Sequence, residues 1–299
     1  MDKILEEFSG IGIVPVIAMD DPKDAEPLAQ ALTDGGLPCA EVTFRTGAAG
    51  EAIRRMADRF PKMLVGAGTV LTTEQAGCAA DAGAKFIVSP GFNPKVVAWC
   101  QDHDIPVLPG CASPSDMERA LSMGLSAVKF FPAEANGGLA AIKAMAAPYH
   151  TLKFMPTGGI TAENINDYLA FPKIIACGGS FMASSAMIKE KDWGGITAKT
   201  RKAVEVMLGY TIRYIGIYSE EGCCGAFAGD LVKRIKKAGQ GKYAQIAVGT
   251  NDIARARYHL EKDGIRFDEE SCTRDSQGRI VSIDVAKDIA GFAVRLLCN

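Results

Sequence analysis

The chain has 299 residues, 48% of them hydrophobic and 23% charged, with a formal net charge of −2. This is ordinary globular composition with material for a large core, and it excludes the basic field of a nucleic-acid binder. The opening stretch MDKILEEFSGIGIVPVIAMDD has no long apolar run behind a basic segment, so neither a signal peptide nor a membrane span is expected.

Taken in chain order, short apolar runs alternate with helical patterns. The runs are IVPVIA (13–18), PCAEVTF (38–44), KMLVGAG (62–68), KFIVS (85–89), IPVLPG (105–110), SAVKFFP (126–132), KFMPTGG (153–159) and KIIACGG (173–179). Amphipathic stretches such as 21–36 and 72–84 fit the gaps as helices. Eight such β/α units predict a parallel (β/α)₈, or TIM, barrel. The rival, an open doubly wound sheet, is disfavoured because no nucleotide-binding glycine fingerprint follows the first strand.

The pattern changes near residue 209. The segment 209–299 reads as a small α+β domain after a barrel over 1–208. IAVGT (246–250) predicts a strand, 252–264 an amphipathic helix stopped by Gly264, and IRFDEE, RIVSIDVA and FAVRLL three further strands. That order is βαβββ, with turns at DSQG (275–278) and DIAG (288–291).

The nine cysteines are scattered, which fits a reducing cytoplasm. The adjacent Cys223 and Cys224 cannot form a CxxC knuckle. His103, His150 and His259 lie far apart, so no metal and no cofactor is expected.

Barrel enzymes place their chemistry at the C-terminal ends of the strands. Lys62, Lys85, Lys153 and Lys173 open their strands and belong to the bottom rim, in solvent. Lys129 instead lies late in its strand, among Val128, Phe130 and Phe131. Burial there favours the neutral, nucleophilic amine; the alternative is a structural ion pair with a buried carboxylate. In AEVTFRT, side-chain alternation puts Glu41, Thr43 and Arg45 on one face if the strand stays extended. Glu41 is then a buried carboxylate suited to acid–base work or to pairing with Lys129. Arg45 is a fork for a substrate carboxylate, or else a rim salt bridge. Thr69, after GAG, can hydrogen-bond a substrate oxygen. The turns PTGGI after strand seven and GGS after strand eight offer backbone amides, and Ser180 a hydroxyl, to a phosphate. An amine, a carboxylate, an arginine and a phosphate cradle together fit a phosphorylated 2-keto acid.

Residues 1 to about 208 also resemble a known family. The segments VPVI, EVTFRTGAA, VGAGTVLT, SPGF, IPVLPG, VKFFPAEANGG, MPTGGI and GGSFM run in order as in the 2-keto-3-deoxy-6-phosphogluconate (KDPG) and 4-hydroxy-2-oxoglutarate (KHG) aldolases. The resemblance implies a class I aldolase with Lys129 as the Schiff-base lysine and Glu41 as the acid–base residue. It implies that Arg45 and Thr69 bind the pyruvate part. Gly158, Gly159 and Ser180 would hold the phosphate, with Pro90 and Phe131 shaping the pocket and Thr157 and Gly179 completing the substrate-binding set. A cytoplasmic homotrimer without metal, acting on a phosphorylated 2-keto acid and releasing pyruvate, is implied as well. The tail more weakly resembles a reduced vicinal-oxygen-chelate (glyoxalase-like) module. Its single histidine, His259, falls on a helix, so a packing, oligomerisation or regulatory role is expected over metal catalysis. The rival readings are an aldolase for another 2-keto-3-deoxy acid, such as the galactonate epimer, and a non-catalytic phosphosugar sensor.

Overall fold

The computed structural model describes residues 2–218, 232–235 and 244–299. Cys223 and Cys224 lie outside the described residues. The chain divides into two compact units, Met1–Val204 and Glu205–Asn299.

The first unit is a closed parallel barrel. Its strands are β1 (Ile13–Ile17), β2 (Cys39–Thr43), β3 (Leu64–Gly68), β4 (Ile87–Val88), β5 (Val107–Leu108), β6 (Ala127–Phe130), β7 (Lys153–Pro156) and β8 (Cys177–Gly179). Ladders join them in the order β5-β4-β3-β2-β1-β8, with β6 paired to β7. Parallel bridges Gly110–Lys129 and Thr157–Gly178 close the two remaining seams. The ring therefore follows chain order all the way round, and it has no edge. All eight predicted runs contain a strand. The strands are shorter than the runs because the apolar ends turn off into the loops.

Helices follow the strands for legible reasons. In α3 (Ala49–Arg59) the buried residues Ala49, Ala52, Ile53 and Met56 fall at i, i+3, i+4 and i+7, one helical stripe. Thr72 caps α4 (Thr73–Asp81), accepting from the Gln75 amide. Asn93 caps α5 (Pro94–Asp102) and Ser113 caps α6 (Pro114–Ser122), each with proline at the first helical position. The predicted helix at 21–36 is a 3₁₀ turn, Pro22–Asp24, running into α2 (Ala25–Asp34).

The rim lysines do more than meet water. Lys85 donates to the Pro61 and Met63 carbonyls, Lys153 to Pro172, and Lys173 to Ala146 and Tyr149. They tie strand starts to neighbouring segments, earlier in the chain for Lys85 and Lys173 and later for Lys153. Burial, with Lys153 nearby, holds the Lys173 ammonium below the usual lysine range.

The N-terminal helix α1 (Asp2–Ile11) belongs to the core. Phe8 and Phe86 are both fully buried and meet edge to face, centroids 4.9 Å apart.

The second unit is a six-stranded sheet. The strands are β9 (Thr211–Tyr218), β10 (Val232–Ile235), β11 (Ala244–Thr250), β12 (Phe267–Arg274), β13 (Ile280–Val285) and β14 (Ala293–Cys298), in the order β10-β9-β11-β14-β13-β12. The expected βαβββ run is β11, the helix Ile253–Lys262, then β12, β13 and β14, and two strands precede it. Asp252 caps that helix on the Arg255 amide. The DSQG turn is held by Asp275, which accepts from the Gln277 and Arg279 amides. A bidentate pair, Arg295 to Asp284 at 2.6 and 2.7 Å, crosses β14 and β13. Among the described residues no helix is long and apolar enough to cross a membrane.

Removing the Phe8 ring should open a cavity against Phe86. We expect Phe8→Ala to cost about 3–5 kcal/mol in urea unfolding of the first unit. A change below about 1 kcal/mol would show that α1 merely lies on the surface.

Candidate active site

Barrel closure brings the C-terminal strand ends to one mouth, and the candidate residues other than Glu41 sit on those ends or in the loops just beyond them. Glu41 is the middle residue of β2 and is fully buried. Lys129 is the third residue of β6 and is 5% exposed. Eighty-eight residues apart in sequence, they meet as a buried ion pair, Nζ to Oε1 at 3.3 Å.

The surroundings fit the pair closely. A Cβ on Gly68, at the end of β3, would overlap the Glu41 carboxylate, so glycine is what lets this acid enter the barrel. The Lys129 ammonium lies 5.1 Å from the Phe131 ring centroid, over its face. The second carboxylate oxygen, Glu41 Oε2, is buried without a hydrogen-bond partner, and so is Thr157 Oγ1. Buried polar atoms left unpaired are expensive and rare in native cores.

The remaining candidates divide by position. The extended geometry of β2 persists only to Thr43, and the chain then turns. Arg45 therefore does not continue the strand face. It stands exposed in the turn, its Nε reaching Thr43 Oγ1 at 3.3 Å, while Thr43 itself donates to the Ile17 carbonyl. Thr69 follows β3 with φ at 56°, an uncommon conformation for a β-branched residue and of the kind that gathers at functional sites. Pro90 follows β4 and is partly buried. Thr157 continues β7 by its bridge to Gly178. Gly158 and Gly159 have φ of 99° and 81°, so their turn uses conformations that other residues avoid. Gly179 ends β8 and is buried, and Ser180 beside it is exposed.

Other nucleophiles are less suited. Cys111 lies just past β5, its amide bonded to the Lys129 carbonyl. Burial and the Asp116 carboxylate push its thiol up to about 12, so it stays protonated and inert near neutrality. Among the described residues, no group of three or more His, Cys, Asp or Glu side chains is placed to hold a metal. His103 stacks on Trp99, and His259 is a buried residue of the tail helix.

Three residues absent from the sequence reading attach to the glycine turn. Glu134, just after Pro132 and Ala133, packs against Gly159; Tyr168 donates its hydroxyl to the Glu134 carboxylate; Asn164 donates to the Gly159 carbonyl. The signal available for Glu134 was an acid in the loop leaving the Lys129 strand. Tyr168 had none, since it lies on a five-residue helix after the loop.

A closed parallel barrel with a desolvated lysine against a carboxylate at its mouth has the arrangement of a Schiff-base aldolase. Residues 4–199 match the family model for KDPG and KHG aldolase. The chain belongs to that family. It is 47% identical over 207 residues to a 2-dehydro-3-deoxy-phosphogluconate aldolase of Treponema pallidum, covering 69% of this chain and 99% of that protein. A KDPG aldolase structure from Legionella pneumophila, with pyruvate captured as a covalent carbinolamine, matches with a TM-score of 0.64 at 39% identity, over 66% of this chain and 95% of that one. The KDPG aldolase of Zymomonas mobilis with 3-phosphoglycerate matches with a TM-score of 0.63, also at 39% identity, over 67% of this chain and 94% of that one.

Lys129→Met should leave Glu41 buried and uncompensated, costing about 3–5 kcal/mol in denaturant unfolding. The double variant Lys129→Met/Glu41→Leu should recover most of that loss. Simple addition of two single losses would mean the pair is not coupled.

Proposed function

We propose that this protein is a class I aldolase that cleaves KDPG to pyruvate and D-glyceraldehyde 3-phosphate, and also splits 4-hydroxy-2-oxoglutarate to pyruvate and glyoxylate. The observation that carries this is the buried contact between Lys129 Nζ and Glu41 Oε1 at 3.3 Å, with Glu41 Oε2 left unpaired.

The proposed steps start from that contact. Lys129 passes its ammonium proton to Glu41, and the neutral amine attacks the C2 ketone to form a carbinolamine. Glu41 gives a proton to the departing hydroxyl, and water leaves. The resulting protonated imine is an electron sink. Glu41 then accepts the C4 hydroxyl proton, and the C3–C4 bond breaks. Its electrons move into an enamine as the aldehyde product leaves. Protonation at C3 by Glu41 and hydrolysis of the imine release pyruvate and restore the amine. One carboxylate can do all of this because it touches the nitrogen and keeps a second oxygen for the substrate. Arg45 and Thr69 take the substrate carboxylate and adjoining oxygen, Pro90 and Phe131 wall the pocket, and Thr157 offers its buried hydroxyl. Gly158, Gly159, Gly179 and Ser180 take the phosphate. Captured pyruvate in the Legionella relative and 3-phosphoglycerate in the Zymomonas relative support the two ends of this reading.

The broader reading has its own supports. A reducing, cytoplasmic setting is supported by free cysteines throughout the described residues. A homotrimer is supported by the family resemblance. Residues 1–208 are read as the catalytic domain and 209–299 as an accessory α+β domain. Its β-α-β-β-β order supports kinship with a reduced vicinal-oxygen-chelate module.

Borohydride reduction in the presence of pyruvate should fix an adduct on Lys129, read by peptide mass mapping. An adduct on any other lysine overturns the assignment. Lys129→Ala should lose nearly all turnover, and Glu41→Gln should lower kcat about 10²–10⁴-fold. An unchanged kcat in Glu41→Gln would remove the carboxylate from the mechanism.

A further inference from the structure

The Gly158–Gly159 turn is gripped from two sides. On one side, the loop after β6 supplies backbone bonds: the Ala133 amide donates to the Thr157 carbonyl at 2.8 Å and the Glu134 amide to the Gly158 carbonyl at 3.1 Å. The Glu134 side chain then lies across Gly159, where an added Cβ would come within 2.5 Å of its Cγ. On the other side, Asn164 donates to the Gly159 carbonyl at 3.0 Å and accepts from the Thr161 amide at 2.9 Å. A turn of two adjacent glycines at positive φ has many alternative conformations, so its shape must come from such outside contacts.

The Glu134 side chain is exposed, so its place across Gly159 depends on a partner. Tyr168, 2% exposed, donates its hydroxyl to Glu134 Oε1 and fixes the carboxylate in place. Burial and that same carboxylate push the Tyr168 hydroxyl upward from its ordinary value, so it remains a donor at any physiological pH.

We infer that Tyr168 and Glu134 are positioning residues for the phosphate end of the substrate: the Tyr168–Glu134 bond holds the Glu134 side chain against Gly159 and so braces the Gly158–Gly159 turn. The inference rests on the reading of that turn as the phosphate cradle. Neither residue is needed for Schiff-base chemistry at Lys129, so the brace should act on phosphorylated substrates selectively.

The test uses the full-length chain with KDPG and with unphosphorylated 4-hydroxy-2-oxoglutarate. Tyr168→Phe should raise KM for KDPG about tenfold, the effect of losing a hydrogen bond to a charged group. Its kcat/KM for 4-hydroxy-2-oxoglutarate and its borohydride trapping with pyruvate should change less than about twofold on that same scale. Glu134→Ala should follow Tyr168→Phe. Glu134→Gln, whose amide oxygen still accepts from Tyr168, should stay close to wild type. Inhibition by inorganic phosphate should weaken in step with the KM for KDPG. Equal losses on both substrates would reduce the pair to a structural role and overturn the inference, as would unchanged discrimination. If Tyr168→Phe fails to fold, the Glu134→Ala and Glu134→Gln comparison decides alone. A wild-type protein with no preference for KDPG would overturn the phosphate reading and the brace together. A wild-type preference that survives Glu134→Ala overturns the brace only.

Discussion

A lysine and a glutamate share the interior of the barrel, and much of the first unit is arranged around that fact. Taking two opposite charges out of water is costly, and their attraction offsets the cost only with close approach and good company. The close approach comes from the ring itself: β2 and β6 stand on different parts of the barrel, and closure points Glu41 and Lys129 at each other. The company is sparse. One carboxylate oxygen has the ammonium, the other has nothing, and an aromatic face covers the amine. The second oxygen is the one that the proposed acid–base role of Glu41 would use.

The demand for space then reaches the backbone. A Cβ on Gly68 would collide with Glu41 Oε1, so this glycine leaves room for the carboxylate where it stands. The residue after it, Thr69, is held in a left-handed conformation. The loop after β6 links Lys129 to the glycine turn after β7 through Ala133 and Glu134. Amine, carboxylate and glycine turn are therefore parts of one connected framework.

Much of this was readable from residue order, because period and position carry physical meaning. Each of the eight runs holds a barrel strand, and a late-strand lysine is a different object from a strand-opening one. Lys129 and Lys153 show the contrast: the first is buried against Glu41, the second is exposed and bonded to the Pro172 carbonyl. Arg45 lies past the end of β2 at Thr43, where alternation no longer fixes a direction, and its place comes from the turn and its bond to Thr43. The brace was not readable at all. Tyr168 and Glu134 are thirty-four residues apart on a short helix and a loop, and no periodicity relates them. Only the folded path of the chain brings them to one turn. The solvated rim lysines were likewise half right, since their carbonyl partners come from segments distant in sequence.

The second unit obeys different rules. The family model ends at residue 199, before the second unit, residues 205–299, begins. An open sheet must deal with its edges, as a closed barrel need not. β12 stands at one end of the sheet, and its Asp268, Glu269 and Glu270 are exposed. Acids along an edge strand discourage a further strand from adding there. Glu269 also accepts from Arg257 of the tail helix, at 2.5 Å, and the Arg257 guanidinium lies 5.3 Å from the Phe267 ring centroid. The edge is thus tied to the helix by charge and covered by the same arginine through its face. A segment that merely trailed from the barrel would need none of this. The tail carries its own capped helix, its own inter-strand ion pair and its own protected edge, which are the marks of a unit with an independent reason to stay folded.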